Sequence, residues 1–274
     1  MEFYQELENI LEASTPEEKI SRFYDFYELY KKDLLKTNNT TRPKEFKNPS
    51  YATFCTIVSP RDVPKRTNLT TKEGQINLLH AIAHIEYTAI DLALDICYRF
   101  RNMPKEFYDD WLEVAEDEIR HFKMIDELLV QIGGKYGSIP VHNSIFEASQ
   151  RTAHSLLDRL AVVPRYLEAN GLDATPQILK KLKTLPKNSI LDNIKSVLEV
   201  ILEEEVDHVK KGDKWFEFTC KQKTLSKDVY IKIINQYYPQ GFAKLKTLNE
   251  QARLQAGFTK EELNQINMFK EKRV

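Results

Sequence analysis

The chain has 274 residues, of which 42% are hydrophobic, so it is long enough to bury a core as one large domain or a domain with extensions. Only 8 glycines accompany abundant Leu, Ile, Lys and Glu, a composition that favours long helices over strands and tight turns. The formal net charge of −1 gives no reason to expect binding to nucleic acid or to a membrane surface.

Three cysteines, Cys55, Cys97 and Cys220, form no C-x-x-C pair and are expected to be reduced thiols in a cytoplasmic protein. Residues 1–10 are acidic and lack the basic and apolar regions of a signal peptide. No uncharged apolar run approaches the roughly 18 residues that would suggest a membrane span.

The N-terminal part, residues 1–72, is predicted to comprise a helical stretch and an extended arm. Apolar residues from Phe3 to Leu11 follow helical spacing, and the helical pattern reaches about residue 36. Residues 37–72 contain four prolines, which are typical of an irregular segment. We expect this arm to lie on the helical domain as a packing element.

The central part, residues 73–220, is predicted to be an all-α four-helix bundle. Its helices are expected at about 73–101, 104–132, 143–171 and 189–220. The short connection at 102–104 makes the first two helices antiparallel neighbours. Thr175-Pro176 is expected to open a separate short segment. Residues 221–274 are predicted to form a C-terminal extension of two or three helices, broken at Pro239-Gln240-Gly241 and at Gly257.

Charged residues interrupt the apolar stripes of three of these helices. Glu86 falls on the first stripe, the pair Glu118 and His121 on the second, and the pair Glu205 and His208 on the last. An unpaired buried carboxylate is costly, so these side chains need a partner. A divalent metal ion is such a partner, because carboxylate oxygens and neutral imidazoles are metal ligands.

The spacing of these residues strengthens the metal interpretation. Glu118–His121 and Glu205–His208 are two copies of E-x-x-H, which places both side chains of each pair on one helix face. Glu86 lies 17 residues before Met103 and Glu118 lies 15 residues after it. At 1.5 Å per residue both sit roughly 22–26 Å from the turn, so they can meet at one level.

The third helix offers two carboxylates, Glu168 and Glu147. Glu168 follows an apolar stripe, whereas Glu147 shares a polar face with Arg151 and His154. We prefer Glu168, although it lies at the predicted helix end. Either the helix continues past Gly171, or residues 175–185 complete that side. His154 is 14 residues before Glu168, roughly 21 Å along a continuous helix, and is therefore not expected to share its metal.

The motif Asp117-Glu118-Ile119-Arg120-His121 resembles the signature of the ferritin-like di-iron carboxylate superfamily. The order of the acidic and histidine motifs is similar to that of demethoxyubiquinone hydroxylases and tRNA-modifying hydroxylases. Residues 80–86, 89–95, 107–111 and 252–258 resemble more closely an uncharacterised bacterial group, domain-of-unknown-function family 455, over roughly residues 60–260. The resemblance implies a ferritin-like four-helix bundle and a two-metal site, but no substrate.

The second motif departs from the superfamily signature, because Asp207 stands where the signature has Arg. Arg120 and Asp207 are candidates to pair with each other. Asp117 and Glu204 are candidates to orient the metal-binding histidines. His80 and His84 lie near Glu86 in sequence but are rotated off its stripe, so a role beside the metal ligands and a purely structural role both stay open.

The predicted function is a di-iron, or mixed iron and manganese, oxidoreductase, including a dioxygen-dependent hydroxylase of a small molecule or RNA. The predicted metal ligands are Glu86, Glu118, His121, Glu168, Glu205 and His208. Oxygen and imidazole ligands without thiolates suit iron or manganese. An organic substrate and an electron donor would be required, and a homodimer is a possible assembly. The alternatives are a ferroxidase or other iron-handling protein, and a non-enzymatic binding protein that keeps metal for stability.

Overall fold

The structure, a computed structural model, describes residues 1–38, 40–186, 188–239, 241–245 and 247–271, and only the backbone of 244, 270 and 271. All regular structure in these ranges is helical, apart from two isolated parallel bridges. The predicted all-α class is confirmed. None of the helices in the described ranges is long and apolar enough to cross a membrane. The chain divides into two compact units, Met1–Glu147 and Ala148–Val274, each described below by itself.

The first unit consists of four α-helices and one 3-10 turn among its described residues. They are α1 (Phe3–Leu11), α2 (Pro16–Lys31), the 3-10 turn Ser50–Thr53, α3 (Lys72–Arg99) and α4 (Lys105–Gln131). The predicted N-terminal helical stretch is therefore two helices. Its break lies where the Thr15 hydroxyl accepts from Glu18 N–H at 3.2 Å and Pro16 opens α2, both of which are helix-start features.

The arm between α2 and α3 is irregular, as predicted, and is held to the rest of the unit by backbone hydrogen bonds. Val58 N–H donates to Val141 C=O at 2.8 Å, and Val141 N–H donates to Thr56 C=O at 2.9 Å. At its end the Thr71 hydroxyl caps α3 by accepting from Gly74 N–H. A side chain at position 74 would overlap with Asn68 C=O, so this close approach requires glycine.

Helices α3 and α4 form the central pair of the first unit and run antiparallel. The Tyr87 and Phe122 rings have centroids 5.3 Å apart, and Tyr108 O–H donates to Phe100 C=O at 3.4 Å. Residues later in α3 therefore contact residues earlier in α4, as in an antiparallel pair. This arrangement is the one expected from a short connection, and it brings the predicted ligand level of the two helices together.

The second unit, in its described part, is built around one long helix. Its elements are α5 (Ser144–Arg151), which begins before the division, α6 (Leu156–Val162), a π-helical turn (Val163–Glu168), α7 (Ala169–Lys183), α8 (Ser189–Gln222), α9 (Val229–Tyr237), a 3-10 turn (Phe242–Lys244), α10 (Glu250–Gln255) and α11 (Lys260–Glu271). The expected breaks near Gly241 and Gly257 are present, and Gln240 lies outside the described residues.

The single third helix predicted at 143–171 is wrong in both its interior and its end. It breaks at 152–155, where the Ser155 hydroxyl caps α6. Beyond the π-helical turn the chain continues as α7 through Gly171 and Pro176, so no separate segment opens at Thr175. Tertiary packing overrides these local signals, because Leu172, Leu179 and Leu182 of α7 are buried.

The segment 163–183 and helix α8 also run antiparallel. A side chain at Gly212 would overlap with the Pro164 ring, and Lys183 Nζ lies 3.6 Å from Glu199 Oε1. Glu168 follows Pro164 by four residues, and His208 precedes Gly212 by four. We infer that Glu168 and His208 lie at the same height along the axes of these two antiparallel segments.

Candidate metal centre

The first unit brings Glu86, Glu118 and His121 together in its interior. Their side-chain ligand atoms lie within 4.8 Å of one another. His121 Nδ1 is 3.4 Å from Glu86 Oε2 and 3.6 Å from Glu118 Oε2. Glu118 and His121 are fully buried, and Glu86 is 5% exposed. The level predicted from residue counts along the two helices is therefore the level at which these side chains meet.

The electrostatics of this group are dominated by burial. Removal from water raises the pKa of the Glu86 carboxyl, and the neighbouring Glu118 adds to the rise while His121 opposes it. Burial by itself lowers the pKa of His121, but hydrogen bonding and charge from Glu118 and Glu86 outweigh it and raise that pKa. Burial disfavours the charged forms of these groups, and a divalent cation would favour the carboxylates and the neutral imidazole that ligate it.

The second E-x-x-H pair lies on α8 in the second unit. His208 is fully buried, Glu205 has a side chain 14% exposed, and His208 Nδ1 lies 3.8 Å from Glu205 Oε1. Glu168 ends the π-helical turn, is half-buried, and stands at the level of His208. Glu147, the rejected alternative, is exposed. Each unit thus contains one glutamate and one E-x-x-H pair of the predicted donor set, and their combination in one centre stays a prediction.

The residues predicted to flank the ligands have partners in their own units. Arg120 forms an ion pair with Asp117 at 2.5 Å, and Lys211 forms one with Asp207 at 2.9 Å. Glu204 is half-buried on α8. The suggested pairing of Arg120 with Asp207 stays a prediction.

His80 and His84 contact the segment that follows α4. His80 Nε2 accepts from the N–H groups of Gly137 and Ile139, at 3.0 and 3.3 Å. His84 Nε2 donates to His142 C=O at 3.0 Å, so its Nδ1 accepts from the Tyr136 hydroxyl at 3.0 Å. The structural role therefore accounts for the contacts of both rings. His154 is exposed and lies 3.5 Å from Asp158.

The feature that sequence reasoning missed is the π-helical turn before Glu168. Such turns are rare and occur frequently at functional sites. Pro164 in this turn lacks an N–H group, which is compatible with the altered hydrogen bonding, but the sequence contains no pattern that distinguishes a π turn from an ordinary helix. Its effect is to let the chain continue as α7 with Glu168 placed against the interior.

Comparison with known proteins places the chain in a family. Residues 12–264 match the family described as a protein of unknown function, DUF455, and the chain belongs to that family. An uncharacterized protein of Haemophilus influenzae is 36% identical to it, over 97% of this chain and 93% of that protein. No solved structure matches the chain. The resemblance to family 455 is confirmed, and the wider ferritin-like assignment stays a prediction.

Proposed function

We propose that the protein is a two-metal oxidoreductase, with iron as the expected metal and manganese as the alternative. The proposed ligands are Glu86, Glu118, His121, Glu168, Glu205 and His208. The observation that carries the proposal is the buried group Glu86, Glu118 and His121, in which one imidazole nitrogen faces two carboxylates. That the second set of donors completes the same centre is the prediction of the doubled E-x-x-H pattern and of the ferritin-like resemblance.

The donor chemistry fits such a centre. Carboxylate oxygens and imidazole nitrogens suit iron and manganese, and the three buried cysteines all lie more than ten residues in sequence from any proposed ligand. Burial of Glu86 and Glu118 makes their charged forms costly, and a bound divalent metal would offset that cost as well as add ligand bonds. The same argument predicts that metal binding stabilises the folded chain.

The chain's own residues would hold and shield the metals. Each E-x-x-H pair presents both donors from one helix face, and the antiparallel α3 and α4 add Glu86 at the same level. The buried setting excludes bulk water, which strengthens electrostatic interactions inside the site. When bound, a pair of reduced iron ions would supply the redox chemistry for dioxygen activation, with an external reductant and an organic substrate.

The first test is metal stoichiometry under anaerobic conditions. The wild-type chain should bind two ferrous ions. Glu168→Ala should bind fewer, because it removes a half-buried donor, whereas the matched control Glu147→Ala, on an exposed position, should still bind two. A wild-type stoichiometry of zero or one contradicts the two-metal centre, and equal loss from both variants contradicts the choice of Glu168.

The second test is dioxygen consumption by the loaded protein with an external reductant. Consumption that Glu118→Ala abolishes supports the oxidoreductase. Two bound ions without any consumption would instead indicate a protein that keeps metal for stability. Elution from gel filtration as a large cage that accumulates many iron ions per chain would indicate the iron-handling alternative.

A further inference from the structure

A cavity of about 460 Å³ lies in the first unit, between the arm, α3 and the segment after α4. Its volume is within the range of small-molecule sites. Asn77 and Ala81 of α3 line it, nine and five residues before Glu86. At roughly 100° per residue these positions face away from Glu86, so the cavity is separate from the candidate metal centre.

The charged side chains around this cavity are both cations. Lys65 and Arg66 line it from the arm, and both are exposed there. Neither cation has a carboxylate partner among the described residues, and none of the described lining residues is acidic. A site with two unpaired cations and no carboxylate favours an anionic ligand.

Three histidines line the cavity, and two of them, His80 and His142, add neutral donors, since both ring nitrogens of His84 are already hydrogen-bonded. His80 is 1% exposed, and because its Nε2 accepts two backbone N–H groups, its Nδ1 carries the ring hydrogen. No described residue accepts a hydrogen bond from that Nδ1–H. His142 Nδ1 accepts from Ser144 N–H at 3.4 Å, which leaves its Nε2 as a donor. Because both histidines line the cavity, these two ring N–H groups can donate to a ligand oxygen there.

Apart from Thr67 and Asn77, the rest of the wall is apolar, with Val63, Pro64, Ile85, Ile139 and Pro140 among its members. We propose that this cavity binds a small organic anion, a carboxylate or a phosphate monoester, with an apolar body. The anionic oxygens would accept from Arg66, Lys65, His142 and His80, and the apolar body would lie against the prolines and branched side chains. The proposal is independent of the metal centre.

The test is a binding titration of the full-length protein with phenyl phosphate and with phenylacetate, followed by ligand-observed NMR. Benzyl alcohol, which has the same ring and no charge, is the matched probe. Saturable binding of at least one anion below about 10 mM, at least tenfold tighter than the alcohol, is the expected result. The anion that binds more tightly shows whether the cavity prefers a phosphate or a carboxylate group.

Variants then assign the binding to this cavity. Arg66→Gln should lower the affinity for the anion about tenfold, because it removes a charged donor. His142→Phe should lower that affinity severalfold. Arg61→Gln and His154→Phe are the matched controls, since neither residue lines the cavity, and both should bind as the wild type does. No saturable anion binding, equal binding of the alcohol, or equal loss in the controls would overturn the proposal.

Discussion

His80 shows how one buried side chain couples stability to pH. Burial lowers the pKa of its imidazole from 6.5 to about 4, and the ring is neutral because Nε2 accepts two backbone N–H groups. His84 and the Tyr136 ring are its neighbours, and His84 is also held neutral by burial. The unfolded chain therefore binds a proton at His80 at a higher pH than the folded chain does.

The sign of the effect follows from proton linkage. Between pH 6.5 and 4 the unfolded state binds more protons, so stability falls as pH falls through this range. The contribution of His80 is about 2 kcal/mol lost at pH 5 relative to pH 7. His80→Gln, whose side-chain oxygen can still accept the two N–H bonds, should remove that part of the pH dependence.

The measurement is the difference in unfolding free energy between pH 7 and pH 5 by urea titration. His154→Gln, at a position whose side chain is 66% exposed, is the control and should keep the wild-type difference. A wild-type pH difference in His80→Gln would show that the imidazole is not held neutral by the fold.

At the scale of elements, Gly212 decides how closely α8 approaches the π-helical turn. A side chain there would overlap with the rigid Pro164 ring. Gly212→Ala should therefore destabilise the chain by about 1–3 kcal/mol, although alanine is intrinsically better than glycine in a helix by about 1 kcal/mol.

Gly171 in α7 is the matched control, because no atom lies within 4 Å of a side chain placed there. Gly171→Ala should stabilise the chain by up to about 1 kcal/mol. Thermal unfolding of both variants measures the contrast. Equal stabilisation by the two substitutions would show that α8 and the turn are not in close contact at Gly212.

The same elements show what the sequence could predict. Apolar periodicity and helix-start signals placed α3, α4 and α8 within about two residues, because each helix buries one face, Thr71 and Asn188 cap α3 and α8, and Pro104 precedes α4. The carboxylates on those faces identified Glu86 and Glu118, and the E-x-x-H spacing identified His121. The level at which these side chains come together follows from the helix pitch. The predicted helix end at Gly171 and break near Pro176 were wrong, because the packing of α7 outweighs the free-energy cost of these residues within a helix.

The cavity residues could not be found from the sequence for a different reason. Lys65 and Arg66 lie in an irregular arm, whose path is set by contacts with residues more than 80 positions away, such as the backbone pairing of Val58 with Val141. No periodicity relates such segments. The contact of His142 with Ser144 is local in sequence, but the position of His142 at a cavity depends on tertiary structure.

At the scale of the whole molecule, each unit has its own buried polar centre and its own tryptophan. In the second unit Arg165 is fully buried among the rings of Phe216, Tyr230 and Phe258, and its guanidinium pairs with Glu262 at 2.7 Å. It also lies 3.0 Å from Asp213, which Lys227 contacts as well. Removing one partner of a buried pair leaves the other charge uncompensated, at a cost of about 3–5 kcal/mol.

Arg165→Met should therefore destabilise the second unit, and the two tryptophans can locate the effect. Trp111 reports on the first unit and Trp215 on the second, and each is 2% exposed. The experiment uses metal-free protein. In a Trp111→Phe background the tryptophan signal comes from Trp215 alone, and in a Trp215→Phe background it comes from Trp111 alone. The urea midpoint reported by Trp215 should fall more than that reported by Trp111.

Two comparisons complete this experiment. Lys221→Met, which removes an exposed cation paired with Glu217, should move either midpoint little, because exposed ion pairs contribute about 0–1 kcal/mol. Glu262→Gln added to Arg165→Met should recover part of the loss, since it removes the charge left without its partner. Equal shifts of both tryptophan signals on Arg165→Met would mean that the chain unfolds as one cooperative body, contrary to the expectation for two compact units, each with its own core.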